Sequence, residues 1–306
     1  MKSLIAIVGP TATGKTELSL NLAEEFDGEI VNADSRQVYR HMETGTAKPT
    51  PEQRSRIPHH LFDIIDPDED FSLGIYQDMA YRVIKDIHDR GRLPILVGGS
   101  GQYVWAILEG WRVPEIPPDG KIRGELESRA ESEGPEALFR ELQEKDPEAA
   151  RRIDARNIRR VVRALEVYRI TGKPFSELKS KNPPEFDMPI LGLTMERVEL
   201  YRRIDERVDR MIENGFIEEV RGLLDRGYSP DLPAMSGLGY RELCEFINGE
   251  TKLEDAIQRI KYATHRFVRR QYNWFRLEDK RIKWYDVTSG AVSAGFIIQE
   301  LRNAKH

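Results

Sequence analysis

Leu4-Ile-Ala-Ile-Val8 runs straight into Gly9-Pro10-Thr11-Ala12-Thr13-Gly14-Lys15-Thr16, and a helical pattern over Thr16–Phe26 follows. An apolar strand, a glycine loop and a helix in that order are the setting in which G-x-x-x-x-G-K-[ST] wraps a di- or triphosphate. The glycines let the backbone curl so that successive N–H groups point inward. The helix N-terminus adds partial positive charge. Lys15 supplies a point charge, and the Thr16 hydroxyl can ligate Mg²⁺. Gly9, Pro10, Thr11, Ala12, Thr13, Gly14, Lys15 and Thr16 are therefore the candidate diphosphate-binding residues, with Thr16 the candidate metal ligand. The competing reading is a chance glycine turn. The loop names the ligand class, not the chemistry done on it.

Further short apolar runs outward from this loop read as strands: Glu29–Asn32, Leu61–Ile65, Pro94–Val97, Pro189–Leu193 and Lys283–Val287. Helical patterns lie between the early ones, over Thr16–Phe26 and Tyr76–Arg90. Strands alternating with helices give an α/β chain with a parallel sheet. The breaker-rich Val113-Pro-Glu-Ile-Pro-Pro-Asp-Gly interrupts this alternation, and Lys181-Asn-Pro-Pro closes the charged helical stretch that follows. Residues 112–186 read as a helical insertion, and 1–111 with 187–306 as the α/β core and its C-terminal helices.

Composition narrows the class. Of 306 residues, 39% are apolar and 32% charged, which suits a folded chain with a core. A single cysteine, Cys244, allows no internal disulfide and no cysteine-based metal site, and predicts a cytoplasmic protein. Leu4–Val8 is too short for a signal peptide, and no run reaches the length of a membrane helix. The net charge of −5 hides local contrast. Glu115–Glu148 is acid-rich. Arg151–Arg169 holds seven arginines against Asp154 and Glu166, and Lys261–Arg276 holds five basic residues and no acid.

Asn32-Ala-Asp34-Ser35-Arg36-Gln37-Val-Tyr39 follows the second strand. Ligands of open parallel sheets sit beyond the carboxyl ends of the strands, so Asp34 lands beside the phosphate loop. It reads either as a general base or metal organiser, or as a cap or turn acid. Gly98-Gly-Ser100-Gly101 ends the next strand. It reads either as a close-approach loop that offers the Ser100 hydroxyl or as a tight turn. Pro94–Val97 ends without the acid an ATPase usually carries there, and no Asn-Lys-x-Asp segment reads guanine. His59-His60 reads as packing, since neighbours on an extended segment point to opposite faces. Arg156, Arg159, Arg160 and Arg163 share one helix face, with Val161 and Val162 turned to the other. The stripe is either a surface for nucleic-acid phosphates or a face paired with the acidic segment before it. The aromatics of Thr264–Arg276 either stack on bases or pack their helix on the core.

These residues resemble the tRNA dimethylallyltransferase (tRNA isopentenyltransferase) family. The resemblance spans nearly the whole chain and rests on Gly9–Thr16, Asn32–Tyr39, Gly45-Thr-Ala-Lys-Pro49, Pro58-His-His-Leu61, Leu96-Val-Gly-Gly-Ser-Gly101, Arg163-Ala-Leu-Glu-Val167, Gly239-Tyr-Arg-Glu242 and Arg270-Gln-x-x-Trp-Phe-Arg276. It implies a P-loop NTPase/kinase-like core with an insertion that closes over tRNA. It implies transfer of a dimethylallyl group from dimethylallyl diphosphate to the exocyclic amine of the adenosine 3′ of the anticodon, which must leave its stack. By that similarity Asp34 takes the amine proton, Lys15 and Mg²⁺ neutralise the leaving charge, Ser100 bonds near the bridging oxygen, and Arg207 adds a diphosphate contact. The resemblance also implies tRNA contacts at Asp34, Ser35, Arg36, Gln37, Ser100, Arg123, Arg159, Arg160, Val161, Val162 and Arg163. Ser100 replaces a common Thr, His265 a common Arg and Asn273 a common Thr; the last two weaken only the local tRNA assignment. With one cysteine there is no zinc finger of the eukaryotic kind, which fits a bacterial type. A monomer is the expected state. The rival readings are an enzyme of free nucleotides and a non-catalytic RNA-binding or nucleotide-switch module.

Overall fold

The computed structural model describes residues 2–112, 116–117, 119–178, 180–290 and 292–304. Most of the junction Val113–Pro118, and Glu115 of the acid-rich segment, lie outside the described residues. The chain divides into two compact units, one formed by Met1–Leu108 and Glu185–His306, the other by Glu109–Pro184. The insertion expected from sequence was 112–186.

In chain order the first unit begins with β1 (Ile5–Val8), α1 (Lys15–Glu25), β2 (Gly28–Asn32), α2 (Pro51–Arg56), β3 (His59–His60), α3 (Leu73–Asp89), β4 (Leu93–Val97) and α4 (Gly101–Leu108). The second unit holds β5 (Trp111–Arg112), α5 (Gly120–Ser132), α6 (Pro135–Lys145), α7 (Pro147–Arg152), α8 (Ile158–Thr171), α9 (Phe175–Leu178) and β6 (Ser180–Lys181). The first unit then resumes with β7 (Ile190–Thr194), α10 (Arg197–Glu213), α11 (Phe216–Asp225), α12 (Tyr240–Ile247), α13 (Leu253–Trp274), β8 (Ile282–Asp286) and α14 (Ala294–Ala304).

The six-stranded sheet has the order β3-β2-β4-β1-β7-β8, and its pairings are all parallel. Parallel strands are covered on both faces, so they read as continuous apolar runs instead of alternating ones. Every residue of β1 is buried, flanked by β4 in the register Ile5↔Ile95 and by β7 in the register Ala6↔Ile190. One core cluster joins Ile7, Leu18, Leu22, Ile30, Ile95 and Leu191 and so packs α1 onto the sheet. The shared direction brings the carboxyl ends of β1, β2, β4 and β7 to one edge, where ligands of such sheets bind.

One expected strand is displaced. Leu61–Ile65 is not extended; the strand is His59–His60, bonded to Ile30 and Val31. Leu61 (φ 65°) and Asp63 (φ 54°) enter the left-handed region, which breaks an extended run whatever its hydrophobicity.

In the second unit, Leu126, Leu138, Leu142, Val161, Val162 and Leu165 form an apolar core. Glu166 is fully buried within it. Its carboxylate accepts hydrogen bonds from Arg123 Nη2 (3.0 Å), Arg163 Nη1 (2.7 Å) and the Asp119 N–H (2.9 Å). Burial alone would raise the Glu166 pKa, but the two guanidiniums and the amide outweigh it and hold it below the usual carboxylate value. β5 and β6 pair antiparallel, with Trp111 opposite Lys181.

Candidate active site

The loop after β1 is strained at defined points. Gly9 has φ 129°, and a Cβ there would collide with the Leu193 carbonyl of β7, so only glycine lets the two backbones approach. Ala12 has φ 66°, and Gly14 caps α1 from the left-handed region at φ 91°. Thr13 Oγ1 donates to the Pro10 carbonyl (2.9 Å), and Lys15 Nζ donates to the same oxygen (2.6 Å). The first-turn N–H groups of α1 have no helical partner and face the loop's concavity.

A cavity of about 580 Å³ opens over this loop. Its floor is Thr11, Ala12, Gly14, Lys15 and Thr16, and Asp34, Arg36 and Gln37 enter from the β2 side. The far wall comes from α10 (Arg203, Ile204, Arg207, Val208) and α13 (Ile260, Thr264, Phe267, Arg270, Gln271), each at helical spacing. Asp34 is placed by its neighbours: Asn32 Oδ1 accepts from the Asp34 N–H (2.9 Å), and Asp34 Oδ1 accepts from the Arg36 N–H (2.9 Å). The turn reading of Asp34 is thus also present, made by one carboxylate oxygen. Asn32 Nδ2 meanwhile donates to the carbonyls of Asp34 and Leu61, fixing the whole turn.

The cavity is electropositive. Burial and, after it, the neighbouring charge of Arg207 lower the Lys15 pKa to about 7 against the opposing pull of Asp34. Burial also lowers Arg207, with Asp34 pulling the other way and Arg210 adding repulsion. Neither Lys15 nor Arg207 has an ion pair among the described residues, so the charge of each is left for an anionic ligand, although Lys15 Nζ also donates to the Pro10 carbonyl.

Sequence reasoning missed Gln271. Its Oε1 accepts from the Thr11 N–H (3.0 Å) and its Nε2 donates to the Gly99 carbonyl (3.0 Å), so one carboxamide stitches the phosphate loop to the loop after β4. The signal was present, because Gln271 stands inside Arg270-Gln-x-x-Trp-Phe-Arg276. That segment reads as aromatic and basic, which draws attention from its one amide.

Ser100 lies in the loop after β4, next to the cavity-lining Gly99. Its Oγ accepts from the Ser35 N–H (2.9 Å) and donates to Ser35 Oγ (3.2 Å), and neither serine lines the cavity. Its place in the structure is a tie between the β2 and β4 loops. Close approach there has a visible cause: a Cβ on Gly98 would collide with the Ala33 carbonyl. Arg36 is anchored, with Nη1 donating to the Pro233 carbonyl (2.6 Å) and Nη2 to Ser236 Oγ (3.0 Å).

The arginine stripe of α8 divides. Arg159 and Arg160 are exposed, with no ion pair among the described residues. Arg156 lies in the turn before α8, not on the helix face expected for it, and pairs with Asp154, while Arg163 and, from α5, Arg123 are tied to Glu166. Val161 and Val162 are 1% and 2% exposed, so their side chains belong to the helical core and not to an RNA-facing surface. They follow Arg159 and Arg160 in sequence, but a step of about 100° per residue turns them inward.

The aromatics of α13 mostly pack. Phe275 is fully buried, the Tyr272 hydroxyl hydrogen-bonds Thr194 Oγ1 (2.9 Å), and Trp274 lies against Gly101; Phe267 lines the cavity beneath Arg270. His59 bonds the Ile57 carbonyl and His60 the Glu29 carboxylate, and no cluster of three His, Cys, Asp or Glu exists among the described residues.

Comparison with known proteins decides the family. The IPP transferase profile matches residues 37–278 and the isopentenyl transferase profile residues 2–62. A tRNA dimethylallyltransferase of Thermomicrobium roseum is 54% identical over 287 residues, covering 94% of this chain and 87% of that protein. One from Roseiflexus castenholzii is 57% identical over 276 residues, covering 90% of each. The chain belongs to the tRNA dimethylallyltransferase family. Solved structures agree. The full-length tRNA isopentenylpyrophosphate transferase of Bacillus halodurans superposes with a TM-score of 0.73 at 43% identity, covering 100% of this chain and 96% of that one. A eukaryotic dimethylallyltransferase described as acting on tRNA gives a TM-score of 0.85 at 31% identity, covering 98% of this chain and 78% of that one. Like those tRNA dimethylallyltransferases, the chain is a transferase on a P-loop NTPase-like parallel sheet.

Proposed function

We propose that this transferase moves the dimethylallyl group of dimethylallyl diphosphate to the exocyclic N6 amine of the adenosine 3′ of the anticodon in tRNA, releasing diphosphate. One observation carries the reading: a single cavity of about 580 Å³ contains the phosphate loop, the two unpaired cations Lys15 and Arg207, and the carboxylate of Asp34. A diphosphate leaving group needs the cations, and an attacking amine needs the carboxylate.

The N6 lone pair attacks the first carbon of the dimethylallyl group. The new N–C bond forms as the C–O bond to diphosphate breaks, and the bonding pair leaves on the diphosphate oxygen. Lys15, Arg207 and the amides of the loop stabilise that charge. The extra proton on N6 passes to Asp34. Ser100 supports the site by holding the β2 and β4 loops together.

The residues fit a Mg²⁺ ion: the Thr16 hydroxyl lines the cavity with no hydrogen-bond partner among the described residues, and Mg²⁺ accepts one protein oxygen alongside phosphate oxygens and water. When bound there through Thr16, the ion would neutralise charge on the leaving group. On the acceptor side, Arg159 and Arg160 of the Glu109–Pro184 unit engage RNA phosphates, and Asp34, Arg36 and Gln37, which line the cavity, receive the extruded base. Among the described residues no helix is long and apolar enough to cross a membrane. A cytoplasmic monomer is the state proposed.

The test is mass spectrometry of tRNA nucleosides after incubation of unmodified tRNA with each candidate donor. Prenylated adenosine from dimethylallyl diphosphate is the expected product. Its absence, with intact tRNA and folded protein, ends the reading.

A further inference from the structure

Residues 45–47 wall one side of the cavity, yet the conformation of this segment is held from outside it. The backbone N–H groups of Glu43 (2.8 Å) and Thr44 (2.6 Å) donate to Glu219 Oε2, and that of Gly45 (3.2 Å) donates to Oε1. The Tyr240 hydroxyl donates to Oε1 as well (2.7 Å). Three successive amides converging on one oxygen pair form a nest, a backbone shape that binds anions. Here the anion is a side chain from the first turn of α11, and it does not line the cavity itself.

The nest is tightly set. A Cβ on Gly45 would collide with the ring of Phe216, and Phe216, Tyr240 and Gly45 all line the cavity. The next two residues carry the effect inward. Gln37 Nε2 donates to the carbonyls of Thr46 (3.0 Å) and Ala47 (3.1 Å). With that nitrogen committed, the remaining polar atom of the Gln37 carboxamide is an acceptor, Oε1, on a residue that lines the cavity. An acceptor suits a base that presents N–H groups, as the exocyclic amine of adenine does.

We infer that Glu219 is a positioning residue for the acceptor base: it anchors the 43–45 amides, which set the Thr46 and Ala47 carbonyls, which orient Gln37. This rests on the prenyl-transfer reading. It separates Glu219 from the phosphate loop, to which it makes no hydrogen bond among the described residues, so acceptor and donor parameters should part.

The test compares wild type, Glu219→Ala and Glu219→Gln. kcat/KM is measured for an anticodon stem-loop RNA, and calorimetry gives the Kd for dimethylallyl diphosphate. Wild-type turnover checks the underlying reading; only the ratio of variant to wild type tests Glu219. Glu219→Ala should lower kcat/KM for RNA by roughly 10- to 100-fold, the scale of a displaced positioning group. Glu219→Gln keeps one acceptor oxygen but sets an NH₂ against a backbone N–H, and should fall between, about 3- to 10-fold. Donor Kd should stay within about twofold in both. Parallel loss of donor affinity and turnover, or an unchanged RNA kcat/KM, overturns the inference. Should Glu219→Ala fail to fold, the near-isosteric Glu219→Gln decides by the same two readouts.

Discussion

Two sets of basic residues can be compared: Lys15 and Arg207 at the phosphate loop, and the arginines of α8 with Arg123 of α5. Both read as anion-binding in the sequence. Lys15 and Arg207 repel one another, are partly shut away from water and lack an ion pair among the described residues, so they are held in an unfavourable state that an anionic ligand relieves. Arg163 and Arg123 instead spend their charge on the buried Glu166. An unpaired, crowded cation marks a binding site; a cation satisfied by a buried carboxylate marks a tie within the fold. Arg159 and Arg160 are a third condition, free but fully solvated, where charge acts on a polyanion over distance and salt screens it.

Substitution in the cavity should give the largest effects. Asp34→Ala should lower single-turnover transfer by about 10²- to 10⁴-fold, the span of general-base catalysis, while donor affinity survives. Lys15→Ala should lose on the order of 10²-fold or more and weaken the donor as well. Rapid-quench assays with labelled donor, paired with calorimetry, check that split; equal behaviour of the two variants breaks the contrast between base and charge stabiliser.

Glu166→Ala should be the most damaging change in the second unit. It leaves two guanidiniums without their carboxylate, at a cost of about 3 kcal/mol, the low end for a broken buried pair because both arginines still reach water. Urea unfolding of the variant measures it. Because the Glu166 pKa is held below the unfolded value, its contribution is present above about pH 4.5 and lost as pH falls through the depressed value. The difference between wild type and Glu166→Gln should therefore shrink under acid.

Proton linkage sharpens the cavity side. Lys15 titrates at about 7 in the free cavity, and a diphosphate beside it raises that value. Donor binding should take up close to one proton near pH 8.5 and almost none through Lys15 near pH 6, where it is already charged. Calorimetry in buffers of different ionisation enthalpy reads this as the difference between wild type and Lys15→Ala. The smallest effect falls on the solvated pair. Arg159→Ala and Arg160→Ala should each reduce the salt slope of RNA binding by about 1 and leave donor affinity unchanged. Val161→Ala should alter stability and not the slope.

Much of this was legible early. The phosphate loop, the parallel sheet and the helical character of the insertion follow from local patterns: continuous apolar runs, left-handed glycines and helical spacing. The third strand was misplaced because positive φ at Leu61 and Asp63 leaves no mark on hydrophobicity. The family resemblance put Val161 and Val162 among the tRNA contacts, although their apolar character already matched the inward face. Ser100 carries the right hydroxyl in the right loop, but which partner a hydroxyl takes depends on a neighbour 65 residues away.

The sequence by itself determined the ligand class, because a loop that wraps phosphate is built from contiguous residues whose spacing is its geometry. Only the tertiary structure decided which charges are spent and which are free, and which distant side chains hold the loops: Gln271 on Thr11, Glu219 on residues 43–45, Glu166 on Arg123 and Arg163. Apart from Glu166 with Arg163, one helical turn away, those pairings join residues far apart along the chain. A hydrogen bond is fixed by distance in space to within a few tenths of an ångström, and order along the chain does not carry that distance.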